Sequence, residues 1–197
     1  MVDSVLLRPL SFPQSGELVV AWERVPYLSP VETGPNPRHA DLWRKRATAF
    51  TGLVLMQEGT KGVAFGTEHP RITGSVTAET GLFDVLGVRP AMGRGFTHED
   101  GIEGRNHVAI LTWGLWQSWF HGDPGVIGRH VQVADTLCEV IGVLPETFRF
   151  PNANALRAFH RKQGVSNVPE PGIFQPATIN PAKYGWNSEY GLSLIHI

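Results

Sequence analysis

Histidines are the residues best suited to acid–base work or metal ligation near neutral pH. The chain has eight: His39, His69, His98, His107, His121, His130, His160 and His196. No two stand three or four residues apart, the spacing that turns two imidazoles toward one metal ion from a helix. His98-Glu99-Asp100 is the only dense polar triplet, and with a single His after a Gly-rich loop it reads as an exposed acidic turn. Ser75, Ser118 and Ser166 lack the G-x-S-x-G context of a nucleophile elbow. GVRPAMGRGF has no G-x-x-x-x-G-K-[ST] order and so is no phosphate cradle. GDPGVIG, at 122–128, reads as turn chemistry in which Gly122 ends a helix and Pro124 redirects the chain. The lone Cys138 lies in an alternating apolar stretch and reads as a small core residue. No catalytic, cofactor-binding or metal-ligating residue is assigned, and no cofactor is expected.

Aromatic residues give one further chemical possibility. Trp113, Trp116, Trp119 and Phe120 could stack on a base or a sugar. On a short helix that is apolar on almost every side, packing in a core is the better reading, with Trp113, Trp116 and Phe120 on one inward face. The densest basic cluster is Arg44-Lys45-Arg46, which reads as a solvated helical face. Together with a net charge of −1, this argues against nucleic acid as a partner.

The elements that would carry these residues are short. The 197 residues include 22 Gly and 15 Pro, with 42% hydrophobic and 18% charged residues. Such a composition supports a core threaded by many turns. Strands are expected at 17–23, 53–57, 62–65, 71–78, 107–112, 131–133, 137–143 and 173–179. The 53–57 and 62–65 pair would be joined by a Gly-containing turn. Helices are expected from the Asn36-Pro37 cap to about Phe50, over 79–86 with Gly87 closing it, and over 113–120. Residues 151–171 read as loop, with a possible short helix at their start. Short strands and helices without regular alternation define an α+β fold. No apolar run reaches the roughly 20 residues of a membrane span, and no signal peptide is evident. Taken alone, these features describe a soluble cytoplasmic protein.

Several blocks carry a resemblance that changes this reading. They are VDSVLLRPLSFP and LVVAWE near the start, then FDVLGVRPAMGRGFTHED. VAILTWGLWQSWFHGDPGVIGRHVQV, CEVIGVLPETFRFP and FQPATINPAKYGWNSEYG follow. In this order they resemble the MacB-like periplasmic core domain of ABC transporter permeases, of the FtsX-like family and its acidobacterial-type duplicated members. The resemblance covers about residues 2–191.

It implies a two-lobed periplasmic domain with mixed sheets and short helices. The first lobe, of βαβ type, would be 17–86 plus 172–179, and the smaller inserted lobe 88–150. Residues 1–16 would be a juxtamembrane segment. The first lobe would be incomplete at its C-terminal side, so the chain reads as a truncated fragment. LSLIHI, at 192–197, departs from the family pattern, reads as a translated sequencing-adaptor sequence and is treated as a non-native tail.

The implied function is relay of conformational change, and contact with partners, during efflux or export, without catalysis. The implied partners are the membrane helices of the same permease, a cytoplasmic ATPase and a periplasmic adaptor. The implied location is the periplasmic face of the bacterial inner membrane. A free-standing binding domain of the same fold, or a small hydrolase, is the alternative.

Overall fold

The computed structural model describes residues 17–21, 23, 34–66, 69–150 and 169–185, and a strand over 192–196. The expected juxtamembrane segment 1–16 and the stretch 151–168 lie outside the described residues.

Among the described residues, nine strands form one mixed sheet. They are β1 (Leu18–Ala21), β2 (Gly52–Ala64), β3 (Arg71–Ala78), β4 (Met92–Gly93), β5 (Val108–Leu111), β6 (His130–Val133), β7 (Thr136–Val143), β8 (Pro171–Pro176) and β9 (Leu192–His196). The order is β1-β9-β2-β3-β8-β5-β7-β4, with β6 pairing both β2 and β7. β3 with β8 and β5 with β7 run parallel, and the other pairs are antiparallel. Three helices, α1 (Pro37–Arg46), α2 (Leu82–Val85) and α3 (Trp113–Phe120), complete the α+β fold.

Local chemistry sets most boundaries. Asn36 caps α1 by accepting from the Arg38 amide at 2.8 Å, and Pro37 occupies the first turn. Arg44, Lys45 and Arg46 fill its last turn, where cations suit the helix dipole. The helix stops there, short of the expected Phe50, because Ala47 is extended (φ −83°, ψ 126°). Its buried residues are Pro37 and Ala40, while Trp43, and Phe50 beyond its end, are partly buried against the small core that Ala40 joins. α2 is shorter than expected at both ends.

The two strands expected at 53–57 and 62–65 are one strand, β2. The glycines did not break it, because an unbroken antiparallel ladder with β3 runs from Met56↔Ala78 to Val63↔Arg71. Gly59 lies inside that ladder opposite Ser75 with ordinary room for a side chain, so nothing there demands a turn.

The hairpin between β6 and β7 turns through Ala134 and Asp135 alone, because Thr136, expected in the turn, already pairs with Val133, and Ala134 takes a left-handed φ of 50°, which is uncommon without glycine. Its amide donates to Gly62 O on β2 at 2.8 Å, so the hairpin is held against the end of the long strand. Thr112 caps α3 by accepting from the Leu115 amide at 3.3 Å. At the other end His121 (φ 52°) takes the left-handed turn expected of Gly122, which follows it at φ 71°.

Residues 192–196, set apart in the sequence reading, pair as β9 with both β1 and β2. The sheet also passes without a break through the 17–86 and 88–150 parts, because β8 pairs with β3 on one side and β5 on the other.

Three apolar clusters sit on the sheet. One is built on Val54, Met56, Val76, Ile110, Ile141 and Phe174 under α2. A second joins Leu115, Trp116 and Phe120 of α3 to β5, β6 and β7. The third gathers Leu53, Leu55 and Ala40 beneath α1. Trp116 and Phe120 are buried as the periodicity predicts, and Trp113 is partly buried with its ring edge-on to Trp116 at 4.7 Å.

Candidate functional site

A line of polar side chains crosses the middle of the sheet. Lys61 leaves β2 and donates from Nζ to Gln175 Oε1 on β8 at 2.7 Å, and to Thr77 Oγ1 on β3 at 3.4 Å. Gln175 is buried and donates from Nε2 to Cys138 Sγ at 3.2 Å. Burial lowers the Lys61 pKa from its ordinary value, with the Cys138 thiol acting the other way. Burial raises the Cys138 pKa, against the Gln175 hydrogen bond and Lys61.

A reactive cysteine needs a depressed pKa and access to a substrate, and Cys138 is fully buried with its pKa moved upward. The line therefore has the parts of a nucleophilic site without its activation. It satisfies polar atoms inside the sheet.

Two acidic features stand apart. Burial, then the nearby charge of Glu170, raises the Glu58 pKa to about 7. Asp100 belongs to the His98-Glu99-Asp100 turn, which was expected to be an exposed acidic loop. Glu99 is exposed and meets Arg105 at 3.1 Å, but Asp100 is buried. Its carboxylate accepts from Arg94 Nη1 (2.6 Å) and Nη2 (3.0 Å) and from the Thr97 amide (2.7 Å) and hydroxyl (2.9 Å). Burial pushes its pKa up, and the hydrogen bonds from Arg94 and Thr97 outweigh it, leaving the carboxyl below its ordinary value.

The remaining residues considered for chemistry are dispersed. His39 Nδ1 lies 2.8 Å from Glu23 Oε1, and His69, His98, His107, His121 and His130 are exposed. His160 lies outside the described residues. Arg44, Lys45 and Arg46 form the exposed face expected of them; Lys45 pairs with Asp41 at 2.7 Å, and Arg44 with Glu79 and with Leu53 O at 3.1 Å. Among the described residues, no three His, Cys, Asp or Glu converge as metal ligands.

One open cleft of about 630 Å³ lies between the start of α3, residues 146–150 and the start of β8. Trp113, Phe148 and Phe150 give it apolar walls, and Glu146, Arg149 and Glu170 give it charge of both signs. Sequence reasoning missed it, because its sides come from three separate stretches of the chain, 112–114, 146–150 and 170–171.

A mixed sheet with short helices, a polar seam and packed aromatic clusters defines an α+β domain. A family profile for the MacB-like periplasmic core domain matches residues 5–178. The chain belongs to that family.

The fold agrees with solved structures. The periplasmic region of MacB from Actinobacillus actinomycetemcomitans superposes with a TM-score of 0.62 at 15% identity, covering 91% of this chain and 73% of that one. The extracellular domain of the noncanonic ABC-type transporter YknZ from Gram-positive bacteria gives 0.59 at 16% identity, covering 90% and 81%. No functionally curated protein matches the sequence.

Membership corrects the cytoplasmic reading. The family is one of periplasmic domains of inner-membrane ABC transporter permeases, and permease helices and an ATPase are the partners that it implies. Among the described residues, no helix is long and apolar enough to cross a membrane.

Proposed function

We propose that this domain relays conformational change from the ATPase and membrane helices of its permease to the periplasmic side during efflux or export, meets partner proteins there, and performs no catalysis of its own. The observation that carries the reading is the continuous sheet: β8 joins β3 to β5 across both parts of the domain, so a displacement at one part has a covalent and hydrogen-bonded path to the other. The buried, upward-shifted Cys138 thiol weighs against the hydrolase alternative.

The test uses the whole permease with its ATPase in membrane vesicles. Spin labels at exposed Thr60 and Ile102 are measured against a label fixed at the membrane surface. Both distances should change together between the nucleotide-free and ATP-bound states. Distances that stay constant through ATP turnover, while export proceeds, overturn the relay.

The cleft beside Trp113 supports a second reading, a binding domain whose ligand occupies that space. Its test is export by a Trp113→Ala permease: unchanged distances with lost export would favour binding over relay.

A further inference from the structure

Phe174 is fully buried on β8, the strand shared by both parts of the sheet. It stands opposite Val76 of β3 and opposite Ile110 of β5. Three other rings close around it. Phe83 of α2 lies 5.4 Å away at 61°, Phe148 5.7 Å away at 79°, and Phe150 5.5 Å away at 59°. Phe83 also meets Phe96 at 5.5 Å and Phe148 at 6.3 Å.

The positions of these rings along the chain matter. Phe83 precedes the 88–150 part, Phe96 lies on its first arm, and Phe148 and Phe150 are among its last residues. Tilted and edge-on aromatic pairs attract one another beyond what their burial contributes. The same cluster continues through Val54, Met56 and Val76 on one side and Val108, Ile110, Ile141 and Leu144 on the other.

The hydrogen-bonded seam is small by comparison. Directly across it the register pairs are Ile110↔Phe174 and Leu111↔Ile173, with Val63↔Val133 and Ala64↔Gln132 at the far end. So few ladder bonds would allow one part to pivot on the other. Packing of the rings opposes such a pivot, as does the second cluster in which Val63 and Ile173 meet Leu111 and Val133, because close-packed interiors resist deformation.

We infer that the phenylalanine cluster centred on Phe174 clamps the incoming and outgoing arms of the 88–150 part onto β8, so that the two parts move as one rigid body with no internal hinge. The clamp rests on the relay reading only for its use. Its geometry is independent of it.

Native-state hydrogen exchange on the intact chain tests the clamp, followed against low denaturant. In the unaltered protein the slowest amides of β2–β3 and those of β5–β7 should share one opening, with protection equal to within about threefold. Phe174→Leu should separate them, so that β5–β7 and β2–β3 differ by roughly tenfold or more, while each set keeps its slow core. Phe150→Leu is the milder variant and should separate them in the same direction if Phe174→Leu does not fold. Leu55→Ala is the control: it weakens a cluster made only from the first part and should speed both sets equally.

Two separate openings in the unaltered protein would overturn the clamp. So would equal acceleration of both sets in the phenylalanine variants. A permease whose labels do not move, with these exchange results intact, would remove the relay and leave the clamp standing.

Discussion

Arg94 and Asp100 form a two-pronged ion pair, with contacts of 2.6 and 3.0 Å, that pins the arm leading away from α2 to the turn at 98–101. Asp100 is buried and Arg94 is about half exposed, so the pair is anchored on its acidic side.

The Asp100 pKa lies below its ordinary value in the folded state, so the folded protein binds fewer protons there than the unfolded chain. The stabilisation is present above the unfolded value of 3.8 and is lost as pH falls below it through the lower folded value. Asp100→Asn should cost about 1–3 kcal/mol at pH 7, as for other hydrogen bonds to charged groups. The difference from the unaltered protein should shrink in urea melts taken at pH 4 and below. A difference that stays constant over that range would contradict the pair.

Glu58 has the opposite sign. Its folded pKa of about 7 is above the ordinary 4.5, so the folded state holds a proton that the unfolded chain releases. Its contribution is full below pH 4.5 and falls between 4.5 and 7, with a slope of at most about 1.4 kcal/mol per pH unit. Glu58→Gln should flatten this part of the stability profile and raise stability at pH 8. A profile unchanged between pH 5 and 8 would place the proton elsewhere.

Trp116→Ala should cost about 3–5 kcal/mol, the usual range for a large aromatic removed from a core. It deletes a buried ring and its hydrogen bond from Nε1 to Asp123 O at 2.9 Å. Denaturant melts of the two proteins decide it, and a loss under 1 kcal/mol would mean that the ring is not part of the core.

Gly93→Ala should destabilise by more than the roughly 0.4–1 kcal/mol by which the same change stabilises at a compatible backbone position. Gly93 has φ +72°, and a Cβ there would lie 2.1 Å from Ile141 O, where β4 crosses β7. Gly66→Ala (φ +59°, open space around it) is the comparison: the same backbone strain without the clash. Equal losses in thermal melts would show that φ alone matters at Gly93.

Much of the fold was legible where neighbours in sequence decide the structure. The cap at Asn36-Pro37, the Trp113–Phe120 face and the Ala134-Asp135 hairpin depend on contacts within a few residues, and the pattern carries them. β2 was misread because Gly59 and Gly62 look like punctuation, and the β3 ladder that overrides them is a tertiary fact.

The site was less legible than the fold. Lys61 and Gln175 are 114 positions apart, and Gln175 and Cys138 are 37 apart, so no spacing could have joined them. Asp100 looked exposed because it sits in a polar loop. Its partner Arg94 was only six residues away, but a loop has no period from which to read which side chain turns inward.

The parallel pairing of β3 with β8 has a consequence for synthesis. Ala78 meets Pro176 in the register, so about a hundred residues must leave the ribosome before that ladder can close. At roughly 5–20 residues per second this takes about 5–20 s, during which β3, and β5 once it is made, lack the neighbour that will lie between them. The emerging chain therefore has a waiting period in which two half-built sheets offer open edges to any holding factor. Stalled chains ending before residue 171 should be cut by protease within β3 and β5. Chains long enough to place β8 beyond the exit tunnel should resist.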